Sequence, residues 1–167
     1  MTPAEGGSRC RELARDCGFD AVGIARVESL TRSSEEKRLL RWLREGQHGT
    51  MTYLARSPER RLDPELVLPG VRSILCVALN YGEPGGHTAA GDERGRVARY
   101  ARGRDYHKTF TARLKRLEAR VREDLATRNT RRYVDTGPVL EKLWAERAGL
   151  GWRGKHTNLV SRRWGSW

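Results

Sequence analysis

The clearest periodicity in the chain lies between Tyr106 and Thr127. Phe110, Leu114, Leu117, Val121 and Leu125 step by four, three, four and four, which predicts one long amphipathic helix. Its other faces carry Arg113, Lys115, Arg116, Arg120 and Arg122. A second helix is predicted after Ser33, whose spacing to Glu36 is that of a capping box. Leu39, Trp42 and Leu43 form its buried face and Gly46 its stop. Ser8–Cys17 reads as a short helix with Leu13 and Ala14 inward, ended by Gly18, behind a frayed tail over residues 1–7. Leu140, Leu143 and Trp144 share one stripe of a further helix, expected to start at Pro138 and stop at Gly149.

Strand patterns alternate with these helices. Phe19–Ala25 alternates apolar and small residues. Ser73–Leu79 is a continuous apolar run, expected to be a central strand buried on both faces. Shorter strands are expected at Val97–Ala101, Arg131–Val134 and His156–Ser161, and a helical turn at Met51–Arg56. Pro58, Pro64 and Pro69 leave no room for a long element between Arg60 and Pro69. The glycine-rich stretch Glu83–Arg96 is the expected mobile surface loop. This alternation predicts a layered α/β or α+β sandwich, with all of 1–167 as one domain.

Charge changes the picture more than length does. Lys and Arg number 33 against 21 Asp and Glu, a net +12, which suggests a polyanionic partner such as nucleic acid; an Arg-rich proteome would give the same balance. No apolar run is long enough to span a membrane and the N-terminus has no signal-like segment, so a cytoplasmic location is expected. Cys10, Cys17 and Cys76 lack the spacing of zinc or iron–sulfur ligands. His48 and His87 lie in glycine loops without partner spacing, so no metal site is read.

Asp135 is the leading candidate for chemistry. It stands where a strand is expected to end and a helix to begin, which is where open α/β sheets place ligands. A helix N-terminus would favour its ionised form, and burial under an apolar cofactor would favour the neutral one. Alone, the residue reads equally as a turn or cap. Tyr106 and His107 follow Asp105 at a helix start and read as a packed ring and an exposed one. Gly149-x-Gly151-x-x-Gly154 follows a helix rather than a strand, so it is not a dinucleotide fingerprint. Trp42 and Trp144 fall on apolar helix faces. Trp152, Trp164 and Trp167 interleave with Arg153, Lys155, Arg162 and Arg163, and could stack bases, rim a ligand or form uncovered surface.

Several motifs, taken together and in order, resemble the epoxyqueuosine reductase family. They are S-P-E-R-R-L-D-P-E-L-V-L-P-G (Ser57–Gly70), A-R-Y-A-R-G-R-D-Y-H-K (Ala98–Lys108), V-D-T-G-P (Val134–Pro138), A-E-R-A-G-L-G-W (Ala145–Trp152), G-K-H-T (Gly154–Thr157) and the closing G-S-W. The likeness runs from about Phe19 onward. It implies a nitroreductase-like, cobalamin-binding domain of an enzyme that completes queuosine in tRNA. It implies that Asp135 is the proton donor, with Tyr106 and His107 supporting it. Arg61, Ala98, Asp135, Lys155 and Leu159 match positions that contact cobalamin. The family continues into a ferredoxin-like domain with two 4Fe–4S clusters. No cysteine run for such clusters occurs here, so an iron–sulfur domain or electron donor is expected in cis or in trans, and independent turnover is not expected. The competing expectation is a non-catalytic basic module that binds RNA or a protein partner.

Overall fold

The computed structural model describes every residue except 83–96, Arg104, Arg128 and Trp167. The expected mobile loop at Glu83–Arg96, with His87, therefore lies outside the described residues. The chain forms α1 (Pro3–Asp16), β1 (Ala21–Arg26), α2 (Ser34–Arg44), α3 (Pro58–Leu62), β2 (Ser73–Ala78), α4 (Tyr106–Asp124), α5 (Glu141–Arg147), β3 (Trp152–Arg153) and β4 (Leu159–Val160), with short 3-10 turns between them.

β1 and β2 pair antiparallel, from Ala21 opposite Ala78 to Arg26 opposite Ser73. The pleat divides their side chains between two cores. Val22, Leu75, Val77 and Leu79 pack with Leu13, Ala14, Cys17, Phe19 and Leu117, beneath α1 and α4. Ala25, Ile74 and Cys76 face the other way, onto Leu30, Leu62, Leu143 and Trp144. The result is a mixed α/β sandwich, helices covering both faces of a small sheet. Trp144 is 1% exposed, and burying a side chain of this kind contributes roughly 1.5–3 kcal/mol. α5 lies so close to the sheet that a Cβ on Gly23 would stand 2.3 Å from the Ala148 carbonyl oxygen.

Several expectations are corrected. Residues 1–7 are not a frayed tail. Thr2 accepts the Glu5 N–H at 3.3 Å, Glu5 accepts the Thr2 N–H at 2.7 Å, and Pro3 opens the helix. β2 is covered on both faces, yet its residues are only partly buried, because its described partner is β1 alone. Arg131–Val134 forms no strand, since among the described residues no neighbouring strand offers it a ladder. Val97–Ala101 is not extended either; it contains a 3-10 turn, Arg99–Ala101. The last strand shrinks to Leu159–Val160, paired with Trp152–Arg153 as a hairpin. α5 begins at Glu141, three residues later than expected, because the Pro138 region is drawn into the preceding turn.

The basic face of α4 is also put to a different use. Arg113 donates to the Gly18 carbonyl, Arg116 to the Cys17 carbonyl at 2.7 Å, and Arg120 pairs with Asp16 at 2.9 Å. Three cations thus sit at the C-terminus of α1, where the helix leaves carbonyls unpaired and its dipole is negative.

Candidate active site

The loop from α4 to α5 carries a tight turn at Val134–Gly137. The Thr136 N–H reaches back to the Val134 carbonyl at 2.6 Å. Asp135 takes a left-handed backbone, φ 58°, which costs an L-residue about 1–2 kcal/mol. Gly137 is required by space, since a Cβ there would meet the Tyr133 side chain at 2.4 Å.

Two side chains hold the backbone of this turn. Glu141, the first residue of α5, accepts the Asp135 N–H at 2.9 Å. Arg61, 8% exposed and brought in by α3, donates to the Gly137 carbonyl at 3.1 Å. The Nε of Arg61 is buried without a protein partner among the described residues. Burial, and then the charge of Asp135, push the Glu141 carboxyl above its ordinary range.

The carboxylate of Asp135 is about half exposed and is met from above by α4. The Tyr106 hydroxyl donates to its Oδ2, and Nε2 of His107 stands 3.2 Å from the same oxygen. Asp105 caps α4 by accepting the His107 N–H at 3.0 Å and also takes the ring Nδ1–H at 2.8 Å. Those bonds hold the Asp105 carboxyl below its ordinary range. With Nδ1 donating to Asp105, a bond at Nε2 needs a proton on the ring or on Asp135. One oxygen of Asp135 is thus shared by a hydroxyl and a ring nitrogen. The bond to Asp135 pushes the Tyr106 phenol up to about 12.

The Tyr106 and His107 rings stack at 4.1 Å, Tyr100 meets Tyr106 edge-on at 6.1 Å, and Tyr81 meets Tyr100 at 6.2 Å. An open cleft of about 300 Å³ lies beside His107, lined also by Thr111, Arg132, Tyr133 and Thr136. A second, of about 400 Å³, lies between Gly149–Trp152 and Ser161–Arg163.

Of the predicted site residues, Asp135, Tyr106 and His107 are brought into direct contact. Arg61 joins them through Gly137. Ala98 is exposed and caps the 3-10 turn that carries Tyr100. Lys155 is exposed and Leu159 half-buried on the β3–β4 hairpin, which α5 holds through Lys142 and Asn158 at 3.4 Å. No described contact joins that hairpin to Asp135. Trp152 is exposed, Arg163 lies over the Trp164 ring at 4.7 Å, and Trp42 packs edge-on to His48. Glu141 and Asp105 were not singled out in the sequence as working parts. A signal for Glu141 exists: a carboxylate in the first helical turn, six residues past a loop Asp, is placed to accept loop N–H groups. Among the described residues no group of three His, Cys, Asp or Glu could hold a metal ion.

The chain matches the family model described as epoxyqueuosine reductase QueG, DUF1730, over residues 61–136. It is 41% identical to an epoxyqueuosine reductase of Xanthomonas campestris over 99% of this chain and 47% of that protein. It is 46% identical to that of Gloeobacter violaceus over 96% of this chain and 49% of the relative. It superposes on a crystal structure of epoxyqueuosine reductase with an epoxyqueuosine-modified tRNA-Tyr stem loop at TM-score 0.82, with 28% identity, over 98% of this chain and 43% of the other. It superposes on the Streptococcus thermophilus epoxyqueuosine reductase at TM-score 0.77, with 26% identity, over 95% and 42% of the two chains. The chain spans about half the length of the curated relatives it matches.

Proposed function

The chain is homologous to epoxyqueuosine reductases along almost all of its length, and we propose that it is the cobalamin-binding catalytic part of such an enzyme, reducing epoxyqueuosine to queuosine in tRNA. The observation that carries this reading is the carboxylate of Asp135, raised on a left-handed turn and held at one oxygen by Tyr106 and His107. The reaction takes the epoxide to an alkene with two electrons and two protons, and releases water. Asp135 delivers a proton to the epoxide oxygen as its C–O bond breaks. Tyr106 and His107 aim Oδ2, and His107 with Asp105 restores the proton. General-acid help of this kind contributes about 10²–10⁴ in rate.

Bound cobalamin would supply the electrons. Arg61, Ala98, Lys155 and Leu159 would hold it beside Asp135. The donors suit a corrin rim of amides and a phosphate: Lys155 is exposed, and among the described residues the buried Nε–H of Arg61 has no partner. Neither described cleft is large enough to enclose such a group, so it would lie on an open face. Electrons would reach the site from an iron–sulfur domain or donor, in cis or in trans. tRNA binding and a cytoplasmic location belong to the same reading. Among the described residues no helix is long and apolar enough to cross a membrane.

The +12 charge supports a second reading, a non-catalytic basic module for RNA or a protein partner. A visible absorption titration of the chain with cobalamin separates the two. The catalytic reading expects a saturable spectral change at one equivalent; no change at all favours the basic module.

A further inference from the structure

The turn that presents Asp135 carries a backbone that an L-residue does not adopt without support. That support comes from Glu141 and Arg61. Glu141 takes the Asp135 N–H at 2.9 Å and Arg61 donates to the Gly137 carbonyl at 3.1 Å. Both are drawn from elements packed on one core, Arg61 from the helix that buries Leu62 and Glu141 from the helix that buries Leu143 and Trp144.

We infer that Glu141 is a positioning residue, which fixes the direction of the Asp135 carboxylate by holding that residue's N–H in the left-handed turn. It acts through Asp135, and rests on the reading that Asp135 is the proton donor. The geometry explains why a carboxyl is tolerated in a half-buried position: its oxygen is committed to the Asp135 backbone N–H. Neutral or ionised, the side chain presents an acceptor oxygen there, so Gln at 141 can do the same.

Amide hydrogen exchange in the chain itself tests this. The wild-type Asp135 N–H is expected to exchange about tenfold or more slower than an open turn amide, despite its exposed position. Glu141→Gln is expected to keep that protection. Glu141→Leu is expected to lose it and also to lower the Tyr106 phenol from about 12 toward 10.0, because the carboxylate no longer meets the hydroxyl. An unprotected wild-type amide overturns the inference, as does a Glu141→Leu protein with both readouts unchanged. If Glu141→Leu does not fold, the wild-type rate and the Gln variant still decide. These readouts need no turnover. A donor other than Asp135 would defeat the functional reading and leave them standing.

Discussion

Tyr106 donates its phenolic hydrogen to Oδ2 of Asp135, 29 residues further along the chain. One oxygen of one carboxylate is therefore fixed by the first turn of α4, while its backbone is fixed by the first turn of α5. The bond favours the neutral phenol, so the Tyr106 contribution to stability is complete below its unfolded pKa of 10.0 and is lost as pH rises through about 12.

Asp135→Ala should bring the Tyr106 titration down from about 12 toward 10.0. Tyrosinate absorbance across alkaline pH measures it, with Tyr106→Phe identifying the signal. A Tyr106 that titrates identically with and without the Asp135 carboxylate would mean that the two side chains do not meet.

Gly23→Ala should destabilise the fold by about 1–3 kcal/mol, since the new methyl meets backbone rather than a side chain that could move aside. Thermal unfolding reads the loss. Unchanged stability would show that α5 can lift from β1 at no cost.

Arg116→Ala should behave as a stability variant. It removes a donor to the Cys17 carbonyl, and a lost charged hydrogen bond of this kind costs about 1.5–3 kcal/mol, reduced here by solvent. The salt dependence of RNA binding should change by less than the slope of about 0.7–0.9 that one phosphate contact contributes. A fall in slope of that size with stability intact would return Arg116 to the RNA-facing surface.

Local patterns were legible and tertiary ones were not. α4 and the Trp144 stripe follow from spacing within a few turns. The Pro3 start of α1 was also there to read, in Thr2-Pro3-Ala4-Glu5, a capping box with proline at the first helical position. Arg131–Val134 carries strand-like residues but has no strand to pair with among the described residues, and pairing is not written in one segment. The arginines of α4 lie off its apolar stripe, as periodicity expects. That they cross to the end of α1 depends on how two helices pack. Asp135, Tyr106 and His107 were found through motif resemblance, and the structure joins them. Glu141 had a local signal, a carboxylate in the first turn of a helix after a loop Asp, whereas the role of Arg61 at Gly137 emerges only when α3 and the loop meet.

The most direct test of Asp135 as proton donor is a single-turnover assay. Wild-type and Asp135→Asn chains would be loaded with cobalamin, reduced anaerobically with a low-potential chemical reductant, and given an epoxyqueuosine-containing tRNA stem loop. Asn is nearly isosteric and still accepts from Tyr106, so cobalamin binding should be kept. Queuosine formation should fall by about 10²–10⁴. An Asp135→Asn chain that forms queuosine at the wild-type rate would contradict the account, and the proton would have to come from another group.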